Sequence, residues 1–257
     1  MSVIPVELSE FTFYFLIFVS MVTSFITAAF GIGGGAVLIG LLALKLPPFA
    51  LLPIHGIVQI GSNFGRTVIF IKEIKKDVLI PFTLGTILGS SLGGTFFIQI
   101  DPWLLQLIVA MFILWSVFGK IPAIGASHIT FGGMFSGFFT MFFGASGTLV
   151  AGMVKTMKLE PVNHLATHSA LMTIQHLIKV VIFGFVGFAY GEYFFLITGM
   201  IISGFIGTLV GKKILIKFGK KYFQVVLNTI LTLIALNLIW NAIKMSGYLN
   251  SFSFSVL

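Results

Sequence analysis

Long apolar segments dominate the chain and alternate with short polar connections. Eight of these segments approach or reach the roughly 20 residues that a helix needs to cross a bilayer. They lie near residues 10–30, 49–71, 78–99, 102–118, 128–143, 161–184, 192–211 and 222–243. The pattern therefore predicts an all-α polytopic membrane protein.

Two shorter apolar runs, 34–46 and 147–157, fall well below that length, and the pattern leaves open whether they cross the membrane completely. Each follows a glycine-rich break, which reads FGIGGGAVLIG from residue 30 and FGASGTLVAG from residue 143. Glycine in a helix interior costs roughly 1 kcal/mol relative to alanine. The glycines near 31–35 and 144–147 therefore indicate broken helices.

The two breaks belong to an internal repeat. Residues 30–70 align without a gap on residues 143–183, at a shift of 113. The matched pairs include Gly34 with Gly147, His55 with His168 and, at a shift of 118, Gly89 with Gly207 and Gly93 with Gly211. Glycine-interrupted segments at matching places in two halves are typical of secondary transporters. We predict one membrane domain made of two repeats of about five helices, 1–120 and 121–257.

Composition and charge support a membrane protein. The chain is 58% hydrophobic and 9% charged, whereas a soluble domain has about 25% charged residues. Its net charge of +8 is concentrated in residues 72–76 and 212–221, which favours cytoplasmic loops over a nucleic-acid surface. The chain has no cysteine, which excludes disulfides and thiolate metal sites, and we expect no metal and no cofactor.

The charge distribution also predicts the orientation. Five crossings per repeat is an odd number, so the two halves would be inverted in the membrane. The positive-inside rule then places the N-terminus and residues 184–192, which lack lysine and arginine, outside, and residues 119–127 inside. Lys45 is the exception to this assignment. No basic residue precedes the first apolar run, so a cleavable signal peptide is not expected.

The helix that follows each break carries an unusual number of polar residues. In the first half their spacing places them on one helix face, and imidazole, amide and cationic groups are the donors that an oxyanion needs. The candidates are His55, Gln59, Asn63 and Arg66 in the first half, and His168, Gln175, His176 and Lys179 in the second. The free N–H groups where a helix begins also suit an anion. They add Gly33, Gly34, Gly35, Ser146, Gly147 and Thr148.

These candidates have structural alternatives. Arg66 and Lys179 fall near helix ends, where a long cationic side chain can extend to the lipid headgroups. Gln59 and Asn63 are residue types that often join helices by hydrogen bonds. His55 and His168 can be structural histidines, although their repetition favours a place near the substrate path.

The glycine cluster at 31–35, the Leu-Pro-Pro turn at 46–48, the helix GTILGSSLGG at 85–94 and the duplicated layout together resemble the TauE/SafE sulfite exporter family. The resemblance covers nearly the whole chain. It implies an inner-membrane carrier of small sulfur-containing oxyanions such as sulfite or organosulfonates. Because the shared motifs are mostly glycine and proline, they specify the fold better than the substrate.

Two other functions stay open at this stage. One is a passive anion channel. The other is an intramembrane serine protease that would use Ser146 of the motif GASG with His168 or His176 as its base. The repeat argues against the protease, because the first half has Gly33 in the matching place, and we expect no enzyme.

The expected partners are a small anionic substrate and the lipid bilayer, with no nucleic acid. Protons are a candidate coupling ion, through His55 or His168, and a homodimer is a candidate assembly. No acidic residue falls in the middle of a predicted span, so a carboxylate proton relay is not expected. Export down an inside-negative membrane potential would need no coupling ion.

Overall fold

The computed structural model describes residues 3–30, 33–120, 124–144, 146–213 and 220–247. Across these ranges the regular structure is entirely helical, which confirms the all-α prediction. The α-helices are α1 (Glu10–Phe30), α2 (Gly34–Lys45), α3 (Pro48–Ile69), α4 (Leu79–Phe97), α5 (Pro102–Phe118), α6 (Ile129–Phe143), α7 (Gly147–Thr156), α8 (Pro161–Phe185), α9 (Phe194–Lys213) and α10 (Lys220–Met245). Short 3-10 turns lie at Ile71–Glu73, Lys76–Val78, Ala126–His128 and Tyr190–Tyr193.

Within the described ranges, five helical stretches are long and apolar enough to cross a membrane, and the protein is a multi-pass membrane protein. They are Glu10–Phe30, Lys76–Phe97, Pro161–Phe185, Tyr190–Gly211 and Gln224–Met245. The other three predicted spans differ for two reasons. Helices α5 and α6 have only 17 and 15 residues. Helix α3 has 22 residues, but the polar face predicted from the sequence lowers its hydropathy.

The two glycine breaks are present where the sequence predicts them. Gly33 precedes α2 with a φ of +99°, and Gly144 follows α6 with a φ of +70°. Both values fall in the left-handed region that glycine tolerates best. Helices α2 and α7 end within one residue of the predicted limits. Gly31 lies outside the described residues.

The two halves are interleaved by the pairing of their helices. The most extensive contacts join α4 to α6 and α1 to α9, so the first helix of each half packs on the fourth helix of the other. Helices α3 and α8, and likewise α5 and α10, pack against their own repeat counterparts. An exchange of the two halves thus leaves the main pairings unchanged.

Residue-level contacts in the two interleaved pairs follow the same repeat. Gly89 of α4 packs so closely on the backbone carbonyl of Met134 in α6 that a Cβ atom would overlap the oxygen, and Gly207 of α9 meets the carbonyl of Met21 in α1 in the same way. Met21 and Met134 are separated by the shift of 113, and Gly89 and Gly207 by the shift of 118. Two further pairs of contacts correspond in the same way. Gly93 packs on Phe138 as Gly211 packs on Phe25, and Gly85 packs on Thr130 where the equivalent Ser203 donates to the Ile17 carbonyl. These contacts support the repeat, whereas its boundaries at 120 and 121 stay a prediction.

Helices α3 and α8 form the centre of the molecule and run antiparallel. Near the C-terminal end of α3, Thr67 Oγ1 lies 3.0 Å from Thr173 Oγ1, and about three turns earlier a Cβ atom on Gly56 would lie 2.6 Å from Cε of Lys179, which is later in α8. Each glycine break reaches the middle of one of these helices. Gly35 packs on the Gln59 side chain, and Ser146 bonds Gln175.

We predict that Gly89→Ala and Gly207→Ala each destabilise the protein by about 1–3 kcal/mol, because the added methyl group overlaps a backbone carbonyl that cannot rotate away. The matched control is Gly65→Ala in α3, where a Cβ atom meets nothing within 4 Å. It should be neutral or stabilise by up to about 1 kcal/mol. Unfolding in mixed micelles measures all three, and a neutral Gly89→Ala would contradict the close packing.

Candidate functional site

Lys179 occupies the centre of the candidate site. Its side chain has 0% relative exposure, and its Nζ atom lies 3.5 Å from Nδ1 of His55 across the α3–α8 contact. The absence of a side chain on Gly56 makes room for the lysine stem. The alternative that Lys179 extends to the lipid headgroups is therefore wrong, because the ammonium group stays inside the protein.

No carboxylate neutralises this ammonium group within the described residues. The acidic residues lie at helix ends, in turns and in loops, at Glu7, Glu10, Glu73, Asp77, Asp101, Glu160 and Glu192. Over the ranges that the structure describes, the only ion pair is Lys75 with Asp77, at 2.8 Å, in the turn before α4. A buried cation without a counter-charge is costly, so the site is electrostatically suited to an anion.

Fully buried polar atoms without partners lie near Lys179 on α8 and opposite it on α3. His55 Nε2, Gln175 Nε2 and both ring nitrogens of His176 have no hydrogen-bond partner. All three residues have 0% relative exposure, and the rings of His55 and His176 lie edge to face with centroids 5.8 Å apart. Buried polar groups are almost always hydrogen-bonded in proteins. Several unpaired groups in one place therefore indicate a missing ligand.

The second glycine break orients the amide of Gln175. Ser146, buried just before α7, lies with its Oγ atom 3.1 Å from Gln175 Oε1 and 3.1 Å from Thr140 Oγ1. Because Ser146 engages the amide oxygen, the Nε2 atom of Gln175 is left with its two N–H groups unpaired. The break thus turns a side chain that could accept or donate into a donor.

The remaining predicted residues on α3 and α8 form a second, less buried cluster. Arg66 is half-buried and bonds Asn63 Oδ1 at 3.0 Å and the Ser62 carbonyl at 3.3 Å. His168 lies 3.1 Å from the Gly147 carbonyl through Nε2, and Arg66 acts on it electrostatically. Arg66 and Lys179 are repeat counterparts, and each acts on the histidine of the other half, Lys179 by direct contact and Arg66 electrostatically.

The residues predicted at the breaks occupy different roles. Gly34 packs on the Thr23 carbonyl of α1 and Gly35 on Gln59, so both serve close packing. Gly33 supplies the left-handed turn before α2. Gly147 and Thr148 are the first two residues of α7, where backbone N–H groups have no partner within the helix. Asn63 donates to the Gln59 carbonyl at 2.8 Å.

Sequence reasoning missed two buried polar residues of this region. Thr140, near the end of α6, contacts Ser146, and the hydroxyl of Ser169 on α8 is buried without a partner. Thr140 could have been found, because the shift of 113 places it on Thr27, and both interrupt apolar helices just before a break. Ser169 carries no such signal, since it matches Gly56.

The family model described as "Sulfite exporter TauE/SafE" matches residues 16–238. The chain belongs to the TauE/SafE family. The resemblance read from the glycine motifs is confirmed, and with it the general function, because TauE/SafE proteins are membrane transporters. Comparisons with curated proteins and with solved structures give no match for this TauE/SafE protein.

The geometry around Ser146 also bears on the protease alternative. A serine nucleophile needs its base within hydrogen-bond reach. In this TauE/SafE protein Ser146 bonds Thr140 and Gln175 instead. His168 engages the Gly147 carbonyl, and both nitrogens of His176 lack a partner. The described residues therefore do not form the serine–histidine pair that a protease would require.

We predict that Lys179→Met stabilises the anion-free protein by about 1–4 kcal/mol, because an apolar side chain of similar length replaces an uncompensated buried charge. The control Lys155→Met, at an exposed position on α7, should change stability by less than about 0.5 kcal/mol. Thermal or denaturant unfolding in detergent, without added oxyanions, measures both. A large loss of stability in Lys179→Met would show that the lysine holds the helices together.

Proposed function

We propose that this TauE/SafE protein transports small sulfur-containing oxyanions, such as sulfite or organosulfonates, and holds them at Lys179. The observation that carries the proposal is the buried ammonium group, which no described carboxylate accompanies, together with the unpaired buried nitrogens of His55, His176 and Gln175. Ionisable groups inside a membrane are rare and usually mark a substrate path. An anion bound here would neutralise the cation and complete the hydrogen bonds at once.

The donor set supports an oxyanion of compact shape. Lysine has three N–H donors, of which His55 Nδ1 engages one, Gln175 offers two because its oxygen is engaged by Ser146, and each imidazole has at least one. An R–SO₃⁻ or HSO₃⁻ group presents three oxygens that diverge from one sulfur atom and can each accept from a different side chain. Hydrogen bonds from a charged donor to such oxygens are among the strongest in proteins.

Alternating access between two inverted repeats is part of the proposal. Two observations support it. The main helix pairings are preserved when the halves are exchanged, whereas the two short helices pack differently. Helix α2 contacts α1, α3, α5 and α10, but the main contacts of α7 are with α6, α8 and the 3-10 turn at Ala126–His128. In a carrier built from inverted repeats, the two repeats exchange their packing arrangements when the site changes the side on which it opens.

We further propose an inner-membrane location with the N-terminus outside, and export as the direction. The loop at residues 70–78 carries Lys72, Lys75 and Lys76, while residues 186–193 carry no lysine or arginine. An inside-negative potential drives an anion outward by about 2.3 kcal/mol per charge per 100 mV. A bound monoanion would therefore leave the cell without a coupling ion.

We predict saturable flux of sulfite, thiosulfate or a short organosulfonate in proteoliposomes that contain the purified protein. Lys179→Gln should raise the half-saturating concentration at least tenfold, because a hydrogen bond to a charged group contributes about 1.5–3 kcal/mol. The matched control is Lys155→Gln, which removes an exposed cation from α7. Radiolabelled sulfate and a carboxylate complete the panel.

The same assay distinguishes the alternatives. A carrier shows faster exchange when unlabelled anion is present on the opposite side, whereas a passive channel shows no such stimulation and does not saturate in the same range. Unchanged flux in Lys179→Gln would place the substrate elsewhere. Absence of flux for every anion in the panel would contradict the proposed function.

The proposed orientation predicts a labelling pattern. The chain has no native cysteine, so single cysteines can be introduced without background. Lys76→Cys and Lys120→Cys, both exposed, should react with a membrane-impermeant maleimide only after permeabilisation, and the exposed Glu192→Cys should react in intact cells. Reaction of Lys76→Cys and Glu192→Cys from the same side would contradict this topology.

A further inference from the structure

We propose that the Lys179 site binds ligands at a fixed net charge of one negative charge. A monoanion binds alone, whereas a dianion binds only together with one proton, which His176 takes up. This inference deepens the proposed transport function and rests on it. It assigns the coupling proton to one residue and separates permanent monoanions, such as sulfonates, from permanent dianions, such as sulfate.

The first step is the charge of the empty site. Lys179 is the one cation within reach of His55, His176 and Gln175 among the described side chains, and no carboxylate accompanies it. The other cation of the central helices, Arg66, is engaged by Asn63 and the Ser62 carbonyl in the second cluster. With both imidazoles neutral and Lys179 protonated, the site holds one positive charge, which one negative charge on the ligand balances.

The second step is the protonation pattern of His55. An ammonium group can only donate, so Nδ1 of His55 accepts from Lys179, and the ring proton sits on Nε2. His55 therefore carries its one N–H on the ring nitrogen that does not contact Lys179. A further proton on Nδ1 would break the bond to Lys179 and place two like charges 3.5 Å apart. His55 is thus a poor place for an additional proton.

His176 is in the opposite situation. Both of its ring nitrogens are buried without a partner, and in a neutral imidazole one of the two is always an acceptor lone pair. That lone pair finds no donor in the site and would face the oxygens of a bound anion. Protonation of His176 turns it into a second donor and adds the second positive charge that a dianion needs. No existing hydrogen bond is lost in the process.

Among the described side chains, no further histidine or carboxylate is placed beside the site to take the proton instead. His168 is held by the Gly147 carbonyl, 3.1 Å away, in the second cluster. Helices α4, α5 and α6 contain no ionisable side chain. The other described titratable or charged side chains on α3, on α8 and on the elements packed against them lie at helix ends, in turns or in the second cluster: Lys45, Arg66, Lys72, Glu73, Lys155, His164, His168, Tyr190, Glu192 and Tyr193.

The consequence is that both ligand classes leave the same net charge in the site. Burial of an unbalanced charge at membrane depth is strongly unfavourable. A dianion without a proton would leave one negative charge in excess, and the proton on His176 removes it. The protein would then move a monoanion alone and a dianion with one proton, so each cycle carries one negative charge.

Calorimetric titration of the purified protein tests this inference with two probes of fixed charge, methanesulfonate and sulfate. Sulfite itself is unsuitable, because it changes charge near neutral pH. Two amine buffers with different ionisation enthalpies are used, and sulfonate buffers are avoided because they are themselves candidate ligands. We expect the binding enthalpy of methanesulfonate to be the same in both buffers, and that of sulfate to differ by an amount that corresponds to one proton.

The pH dependence gives a second readout. Uptake of one proton requires the sulfate affinity to fall about tenfold between pH 7 and pH 8, because the logarithm of the binding constant changes by one per proton and per pH unit. The methanesulfonate affinity should change less than about twofold over the same range. In His176→Gln the sulfate dependence should become flat, whereas the control His164→Gln, on the same helix outside the site, should retain it.

The outcomes separate the two proposals. Three results would each overturn the inference of a fixed net charge while leaving an anion site at Lys179. They are sulfate binding without proton uptake, methanesulfonate binding with proton uptake, and an unchanged pH profile of sulfate binding in His176→Gln. Failure of both probes to bind at any pH would overturn the proposed oxyanion site together with this inference.

Discussion

Polar groups at membrane depth must find their partners inside the protein, and this constraint explains the arrangement of the central helices. Two glycine breaks leave backbone groups in the interior without partners in a helix. The first break lies against the middle of α3 and the second against the middle of α8. There the side chains of Gln59 and Gln175 meet them. The buried ammonium group of Lys179 is the exception, since it has an imidazole as its neighbour and no counter-charge among the described residues.

The interleaved packing creates the conditions for that exception. Glycines of α4 and α9 bring these helices against the backbones of α6 and α1. The two halves are therefore closely packed against each other. Helices α3 and α8 form an antiparallel pair between these helices, and the cation of each acts on the histidine of the other, by contact for Lys179 and electrostatically for Arg66. One such pair, His55 with Lys179, is fully buried, whereas Arg66 and His168 are only half-buried.

Much of this architecture could be predicted from the sequence, because glycine breaks and a long repeat leave a strong local signal. Periodicity and alignment predict the helices, both breaks and the equivalence of His55 and His168 in the repeat. They do not predict the division of the polar residues into two clusters. It depends on the antiparallel register of α3 against α8, which places His55 beside Lys179. The sequence of two helices does not specify how they are aligned along each other. The repeat marks Thr140 through its counterpart Thr27, but the contact of Thr140 with Ser146 depends on tertiary packing, because one hydroxyl in an apolar helix is usually bonded to its own backbone.

Anomalous diffraction from crystals soaked in selenite tests the central claim most directly, because selenite has the shape and charge of sulfite and the protein contains ordinary methionine. The account predicts a selenium peak whose oxygen atoms lie about 3 Å from Lys179 Nζ and Gln175 Nε2, and no such peak in Lys179→Met. An ordered selenium peak at Arg66 or at the loops, with none beside Lys179, would contradict it.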